Sequence, residues 1–149
     1  MTSIDTVELS KILFTAFITV FTGVIVLVVG QLLQRFFIEP LNEFSRTVGE
    51  IAFALIYYAN VYAGTTSHEE ILEASKTLRK LAAGLIPSVY AVHGYTFFAL
   101  LGFVPKKRQV NEATNRLIVL SNSLFHSDFS VVEENRTSVQ KLLRIKPLK

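Results

Sequence analysis

Residues Ile12–Gln34, ILFTAFITVFTGVIVLVVGQLLQ, form the stretch that decides how this chain is organised. No ionisable side chain interrupts these 23 residues. About 20 apolar residues in a helix are enough to cross the hydrocarbon core of a bilayer. A core helix of a soluble protein is rarely apolar on every face over such a length. The stretch therefore predicts a transmembrane helix over residues 12–34.

A cleaved signal peptide is the alternative interpretation, because the stretch is N-terminal and follows Lys11. Signal peptides have an apolar region of about 7–15 residues, followed by a cleavage site with small residues. Here the apolar region is longer, and it continues into QLLQRFF at residues 31–37, which contains no such site. We therefore expect the helix to be retained as an anchor.

Lysine and arginine are distributed unevenly about this stretch. One of the 15 basic residues, Lys11, precedes it, and the other 14 follow it, starting with Arg35. Segments rich in lysine and arginine stay in the cytoplasm when a helix inserts into a membrane. This asymmetry predicts that residues 1–11 are a short extracytoplasmic tail and that residues 35–149 form a cytoplasmic domain.

The composition narrows the classes of function. Half of the 149 residues are hydrophobic and only 18% are charged, which excludes a disordered tail. The absence of cysteine excludes a disulfide framework, a thiolate metal site and a cysteine nucleophile. The sequence pI of about 9.3 favours anionic lipid as a partner. Nucleic acid is the alternative, but the basic residues are dispersed along the chain, so we expect no nucleic-acid partner.

Apolar residues continue at helical spacing after the predicted span. Intervals of three and four residues produce the a/d pattern of a coiled coil or a tight bundle. Extending this pattern backwards by sevens places small residues on one side of the predicted span, where they let helices approach closely. We expect self-association through this stripe; the alternative is that the pattern packs on later helices of the same chain. The seam comprises Leu41, Phe44, Val48, Ile51, Leu55, Tyr58 and Tyr62, and the stripe comprises Ala16, Gly23, Gly30, Phe37, Phe44 and Ile51.

The rest of the chain also predicts helices. Ser67 followed by Glu70 is a capping box that opens a helix with its apolar face running to Leu85. Another amphipathic helix is predicted from Val110 to Leu124, and Ser130 with Glu133 predicts a second capping box before the last helix. No segment alternates with a period of two for long. The predicted fold class is all-α, with one N-terminal transmembrane helix followed by a cytoplasmic helical bundle.

A second apolar stretch, Leu85–Val104, carries His93 as its one ionisable residue. Its length would allow a second span, but basic residues flank it on both sides, so crossing would leave one group outside. We expect a buried or interfacial segment instead. Its aromatic residues suit a membrane interface, and we expect Arg35, Lys106, Lys107 and Arg108 to contact lipid headgroups.

No catalytic constellation emerges from the sequence. The histidines His68, His93 and His126 have no helical i, i+4 relation, and neither a G-x-S-x-G turn nor a phosphate-binding glycine loop occurs. We expect no enzyme activity, no catalytic residue, no metal and no cofactor. The amides at Asn60, Asn115 and Asn122 suggest buried hydrogen bonds that fix helix register, or else a small polar ligand.

Two runs, RTVGEIAFALIYYANVY at Arg46–Tyr62 and LSNSL at Leu120–Leu124, resemble an uncharacterised family of small bacterial proteins with one N-terminal membrane helix and a helical remainder. The resemblance implies the bacterial inner membrane and brings no known activity. We expect a non-enzymatic interaction or scaffold protein that self-associates and docks a partner, such as a membrane protein, at the cytoplasmic face. The alternatives are a ligand-regulated membrane effector of a defence or toxin-like kind, and a small accessory subunit of a larger membrane complex.

Overall fold

A computed structural model describes residues 6–62, 67–125 and 129–146 of the chain. Within these ranges all regular secondary structure is helical, which confirms the all-α class for this part of the chain. The elements in chain order are α1 (Thr6–Leu33), a π-helical turn (Gln34–Ile38), α2 (Glu39–Tyr57), α3 (Ala59–Tyr62), α4 (His68–Ala91), α5 (Tyr95–Leu100), α6 (Lys107–Ser123) and α7 (Phe129–Leu142).

The apolar N-terminal stretch forms α1, and every residue of this helix is exposed. The helical path continues from Thr6 to Tyr57, over 52 residues. Among the described residues it is the one helix that is long and apolar enough to cross a membrane. No residue of α1 is buried, so the described part of the chain leaves its apolar surface uncovered.

The predicted boundary between residues 34 and 35 falls on the π-helical turn. Here the Glu39 amide donates to the Gln34 carbonyl, an i→i+5 bond that encloses one residue more than an α-helical bond. Pro40 follows in the first turn of α2, and it has no N–H to offer the Phe36 carbonyl in the α-helical pattern. The turn shifts the helical pattern by about one residue, so the stripe on α1 does not run straight into the seam on α2.

The seam predicted on α2 forms the core of the bundle. Helix α2 packs against α4, α4 against α6, and α6 against α7. Helices α2 and α4 run antiparallel: Phe44, near the start of α2, contacts Tyr95, just beyond the end of α4, and the hydroxyl of Tyr58, just beyond the end of α2, lies 3.3 Å from that of Thr77 on α4. Phe44 and Ile51 are 3% and 0% exposed. They are therefore unavailable to a second copy, and the seam packs within the chain.

The predicted apolar faces of the later helices are confirmed, whereas some of their ends differ. The Ser67 hydroxyl accepts from the Glu70 amide at 3.4 Å, as the first capping box predicts. Helix α4 continues through Pro87 to Ala91, beyond the predicted end at Leu85. The second capping box is wrong, because Ser130 already lies inside α7. The predicted helix end at Gly64 lies outside the described residues.

The second apolar stretch is not one helix. It contains the end of α4, a turn at Val92–Gly94, the short helix α5 and a further turn. Gly94 has a φ of +73°, a left-handed conformation that favours glycine. The interruption leaves no helix of spanning length in Leu85–Val104. The structure thus agrees with the prediction of a segment that is not a second span.

Candidate membrane-docking corner

Helix α5 and its flanking turns, residues 92–106, form a corner beside the end of α1. The ring of His93 meets that of Phe36 edge-on at 5.6 Å between centroids, and Phe98 lies 6.1 Å from Phe37. Phe36 and Phe37 belong to the π-helical turn that directly follows α1. The corner therefore lies level with the end of the apolar helix.

A buried tyrosine fixes the corner to the bundle. The Tyr95 hydroxyl donates to the Pro105 carbonyl at 2.7 Å, which ties the beginning of α5 to the turn before α6. The Tyr95 ring packs edge-on against Phe44 of the core at 5.7 Å. Burial raises the pKa of Tyr95 from 10.0 to about 12, so the hydroxyl keeps its proton at alkaline pH values where an exposed tyrosine would already lose it.

The outer surface of the corner is apolar. Leu100 is 84% exposed and Phe103 is 76% exposed. Large side chains of this kind usually avoid water when they are clustered, and an exposed cluster marks a contact with a partner or a membrane. The exposed apolar residues at this end of the molecule are Phe36, Ile38, Tyr90, Phe97, Leu100, Leu101 and Phe103.

Basic residues border this apolar surface. Arg35 lies in the π-helical turn after α1. Lys106 caps the start of α6, which begins with Lys107 and Arg108; all four predicted headgroup residues are exposed at the same end. The Lys107 ammonium lies over the Tyr90 ring, 5.4 Å from its centroid. Within the described ranges none of the four forms an ion pair with a carboxylate.

Sequence reasoning missed one basic residue of the corner, Arg144. Its guanidinium donates to the Gly102 carbonyl at 2.7 Å, which brings the end of α7 to the turn after α5. Arg144 adopts a positive φ of 58°, an uncommon conformation for a residue other than glycine. It lies two residues after α7, and the helical spacing of the sequence contains no signal for this contact.

Charge is distributed unevenly between the two ends of the bundle. The α1 end, residues 35–44, 90–108 and 143–146, carries most of its charge as lysine and arginine, with Glu39 and Glu43 against them. In the rest of the described bundle the charges balance, with seven basic and seven acidic residues. The basic residues of the α1 end are Arg35, Lys106, Lys107, Arg108, Arg144 and Lys146; the rest of the described bundle carries Arg46, Lys76, Arg79, Lys80, Arg116, Arg136 and Lys141 against Glu50, Glu69, Glu70, Glu73, Glu112, Glu133 and Glu134.

The residues considered for chemistry are dispersed. His68 packs against Phe125 at the opposite end from His93, and His126 lies outside the described residues. Among the residues that the structure describes, no group of three histidines or carboxylates could hold a metal. The corner offers apolar contact and positive charge, which suit binding.

The amides singled out in the sequence are exposed, and the buried one was missed. Asn60, Asn115 and Asn122 all lie at the surface. Asn135 is 2% exposed; its side chain donates to the Val131 carbonyl and accepts from Arg116. It follows buried Val132 by three residues on the same face of α7, and this helical spacing is the signal that could have identified it.

The residues expected to mediate self-association fall into two groups. Ala16, Gly23 and Gly30 are exposed on α1, and a Cβ at either glycine would have no heavy atom within 4 Å. Phe37 packs against the corner, and Phe44 and Ile51 are buried in the core. The first group is exposed, Phe37 is half-buried, and Phe44 and Ile51 pack within the chain.

Comparisons of the chain with protein-family models, with curated proteins and with solved structures gave no match. The resemblance to a family of small bacterial membrane proteins stays a prediction.

Proposed function

We propose that this protein is a non-enzymatic, membrane-anchored interaction protein. Its apolar helix spans the bacterial inner membrane once, with residues 1–11 outside and the helical bundle in the cytoplasm. The docking corner holds the bundle against the inner surface of the membrane. The opposite half, in which basic and acidic residues balance, faces the cytoplasm, where a protein partner docks.

The observation that carries this proposal is the position of the exposed apolar surface. Phe97, Leu100, Leu101 and Phe103 are all more than half exposed, and they lie level with the end of an apolar helix that is itself uncovered. One bilayer would cover both surfaces at once. The basic residues beside the corner would then meet anionic headgroups, where each contributes about 1 kcal/mol before screening by salt.

Two features favour a retained span over a cleaved signal sequence. The helix continues without a break from α1 through the π-helical turn into α2. Residues immediately after the apolar stretch, Phe36 and Phe37, also pack against the corner. The segment in which cleavage would have to occur is thus helical and part of the folded bundle.

The topology can be tested by labelling single cysteines, since the chain has none of its own. We expect Thr2→Cys to react with a membrane-impermeant maleimide in intact bacterial cells. Ser67→Cys and Ser138→Cys should react only after permeabilisation, because both lie in the bundle that we place inside. Labelling of Ser138→Cys in intact cells would contradict the orientation, and labelling of all three would contradict the anchor in the inner membrane.

A further inference from the structure

A cavity of about 320 Å³ opens in the docking corner, between α5 and the beginning of α6. Thr96, Ala99 and Leu100 of α5 line it together with Lys106 and Lys107. The volume equals about ten water molecules at roughly 30 Å³ each, which suits a small polar headgroup better than a whole lipid.

The two lysines that line this cavity have no carboxylate partner among the described residues, and the ammonium group of Lys107 is held against aromatic rings beside it. The Lys107 ammonium lies 5.4 Å from the centroid of Tyr90 and 6.0 Å from that of Tyr95. Such contacts with ring faces position an ammonium group and leave its N–H donors free. In the described part of the chain no carboxylate lies within 4 Å of the ammonium group of Lys106 or Lys107.

The cavity also lies where a phospholipid headgroup would be. Phe98, on the same short helix as Ala99 and Leu100, packs against Phe37, three residues beyond the predicted end of the span. The exposed apolar side chains Leu100 and Leu101 continue from the cavity wall. A phosphate between the two lysines would pair with their charges, and an acyl chain along the apolar surface would cover Leu100 and Leu101.

We propose that this cavity binds the phosphate-bearing headgroup of an anionic glycerophospholipid. The proposal rests on the proposed function, since it requires the corner to reach the membrane. It adds a specific lipid site to general contact with the bilayer, and it assigns the phosphate to Lys106 and Lys107. The continuity of the apolar wall identifies the ligand as a lipid and not as free phosphate.

Lipid binding is tested on the full chain, purified in mild detergent and offered equal amounts of phosphatidylglycerol and phosphatidylcholine. Native mass spectrometry then counts the lipids retained. We expect phosphatidylglycerol to be retained preferentially, and Lys106→Gln with Lys107→Gln to weaken its retention about 30-fold, since each basic residue near a lipid surface accounts for roughly a fivefold effect. The matched control is Lys76→Gln with Lys80→Gln on the exposed face of α4, which should retain phosphatidylglycerol as the wild type does.

Three results would overturn the proposal. These are equal retention of the two lipids by the wild type, unchanged retention by the Lys106 and Lys107 variant, and displacement of the lipid by 10 mM inorganic phosphate. The circular dichroism melting curve of each variant checks that it folds. Contact of the corner with bilayers of pure phosphatidylcholine, measured separately, reports on the proposed function alone. If the corner contacts phosphatidylcholine bilayers while the Lys106 and Lys107 variant retains phosphatidylglycerol as the wild type does, the lipid site is refuted and the proposed function is not.

Discussion

Two adjacent residues, Gly94 and Tyr95, determine the shape of the docking corner. Gly94 reverses the chain after α4 in a left-handed conformation, and Tyr95 then secures α5 through its ring and its hydroxyl. The sequence places a glycine inside an apolar run, which indicates a break in a helix. It does not reveal that the tyrosine hydroxyl meets the Pro105 carbonyl, because that contact depends on the three-dimensional course of the turn.

Substitution of two glycines by alanine should have opposite effects on stability. Gly94→Ala should lower the free energy of unfolding by about 1–2 kcal/mol, because in the left-handed region the Cβ of an L-residue lies too close to the following carbonyl oxygen. The Cβ would lie 3.8 Å from Phe37, an ordinary contact, so the cost comes from the backbone. Gly84→Ala, in the middle of α4 with open space around it, should raise stability by about 0.5–1 kcal/mol. Urea unfolding in detergent, followed by circular dichroism, measures both; equal effects would contradict the assigned turn.

Tyr95→Phe should destabilise the protein in a pH-dependent way. At pH 8 the variant leaves the Pro105 carbonyl without its donor, at a cost of about 1–3 kcal/mol. Folding raises the pKa of Tyr95 from 10.0 to about 12, so the stability it contributes is complete below pH 10 and is lost as the pH rises towards 12. The difference between wild type and variant in urea unfolding should therefore shrink between pH 9 and 12. A difference that stays constant over this range would show that the hydroxyl is not held as described.

At the scale of helices, periodicity predicted which faces are buried but not how the first two helices join. The apolar positions of α2, α4, α6 and α7 follow the spacing in the sequence because each helix buries one stripe against its neighbours. The π-helical turn is different. It inserts about one residue into the pattern, and spacing by sevens carried across it connects two faces that do not coincide. The sequence also did not predict that α4 continues through Pro87. A proline ordinarily ends or kinks a helix, but packing can favour its presence inside one.

Self-association, if it uses the small residues of α1, should be separable from folding of the bundle. Gly23→Leu with Gly30→Leu should reduce chemical crosslinking between copies in membranes several-fold, because bulky side chains keep the helices apart. The same variant should leave the melting temperature of the bundle unchanged. Ile51→Ala, which opens a cavity in the core, should instead lower stability by about 2–5 kcal/mol. Crosslinking that persists in the double glycine variant would refute the role of this stripe.

At the scale of the whole molecule, the sequence predicted an apolar helix, an all-helical remainder and a segment of α5 near the membrane. These follow from local properties: length without charge, helical spacing, and aromatic residues next to lysines. That Arg144 and Lys146 join the basic residues at the α1 end was not predicted, because it depends on which helix ends lie together. Antiparallel packing of α2, α4, α6 and α7 brings residues from distant parts of the chain to the α1 end, including Arg144.

Contact between the corner and the bilayer is the central claim, and a single tryptophan tests it most directly, since the chain contains none. Phe103→Trp places the reporter on the corner, and Phe53→Trp places it on an exposed site of α2 about 22 Å beyond Ile38 at 1.5 Å per residue. Both full-length variants are reconstituted in nanodiscs of phosphatidylcholine with brominated acyl chains. We predict strong quenching and a blue-shifted emission for Phe103→Trp, with little quenching for Phe53→Trp. Equal, weak quenching of the two reporters would contradict the account.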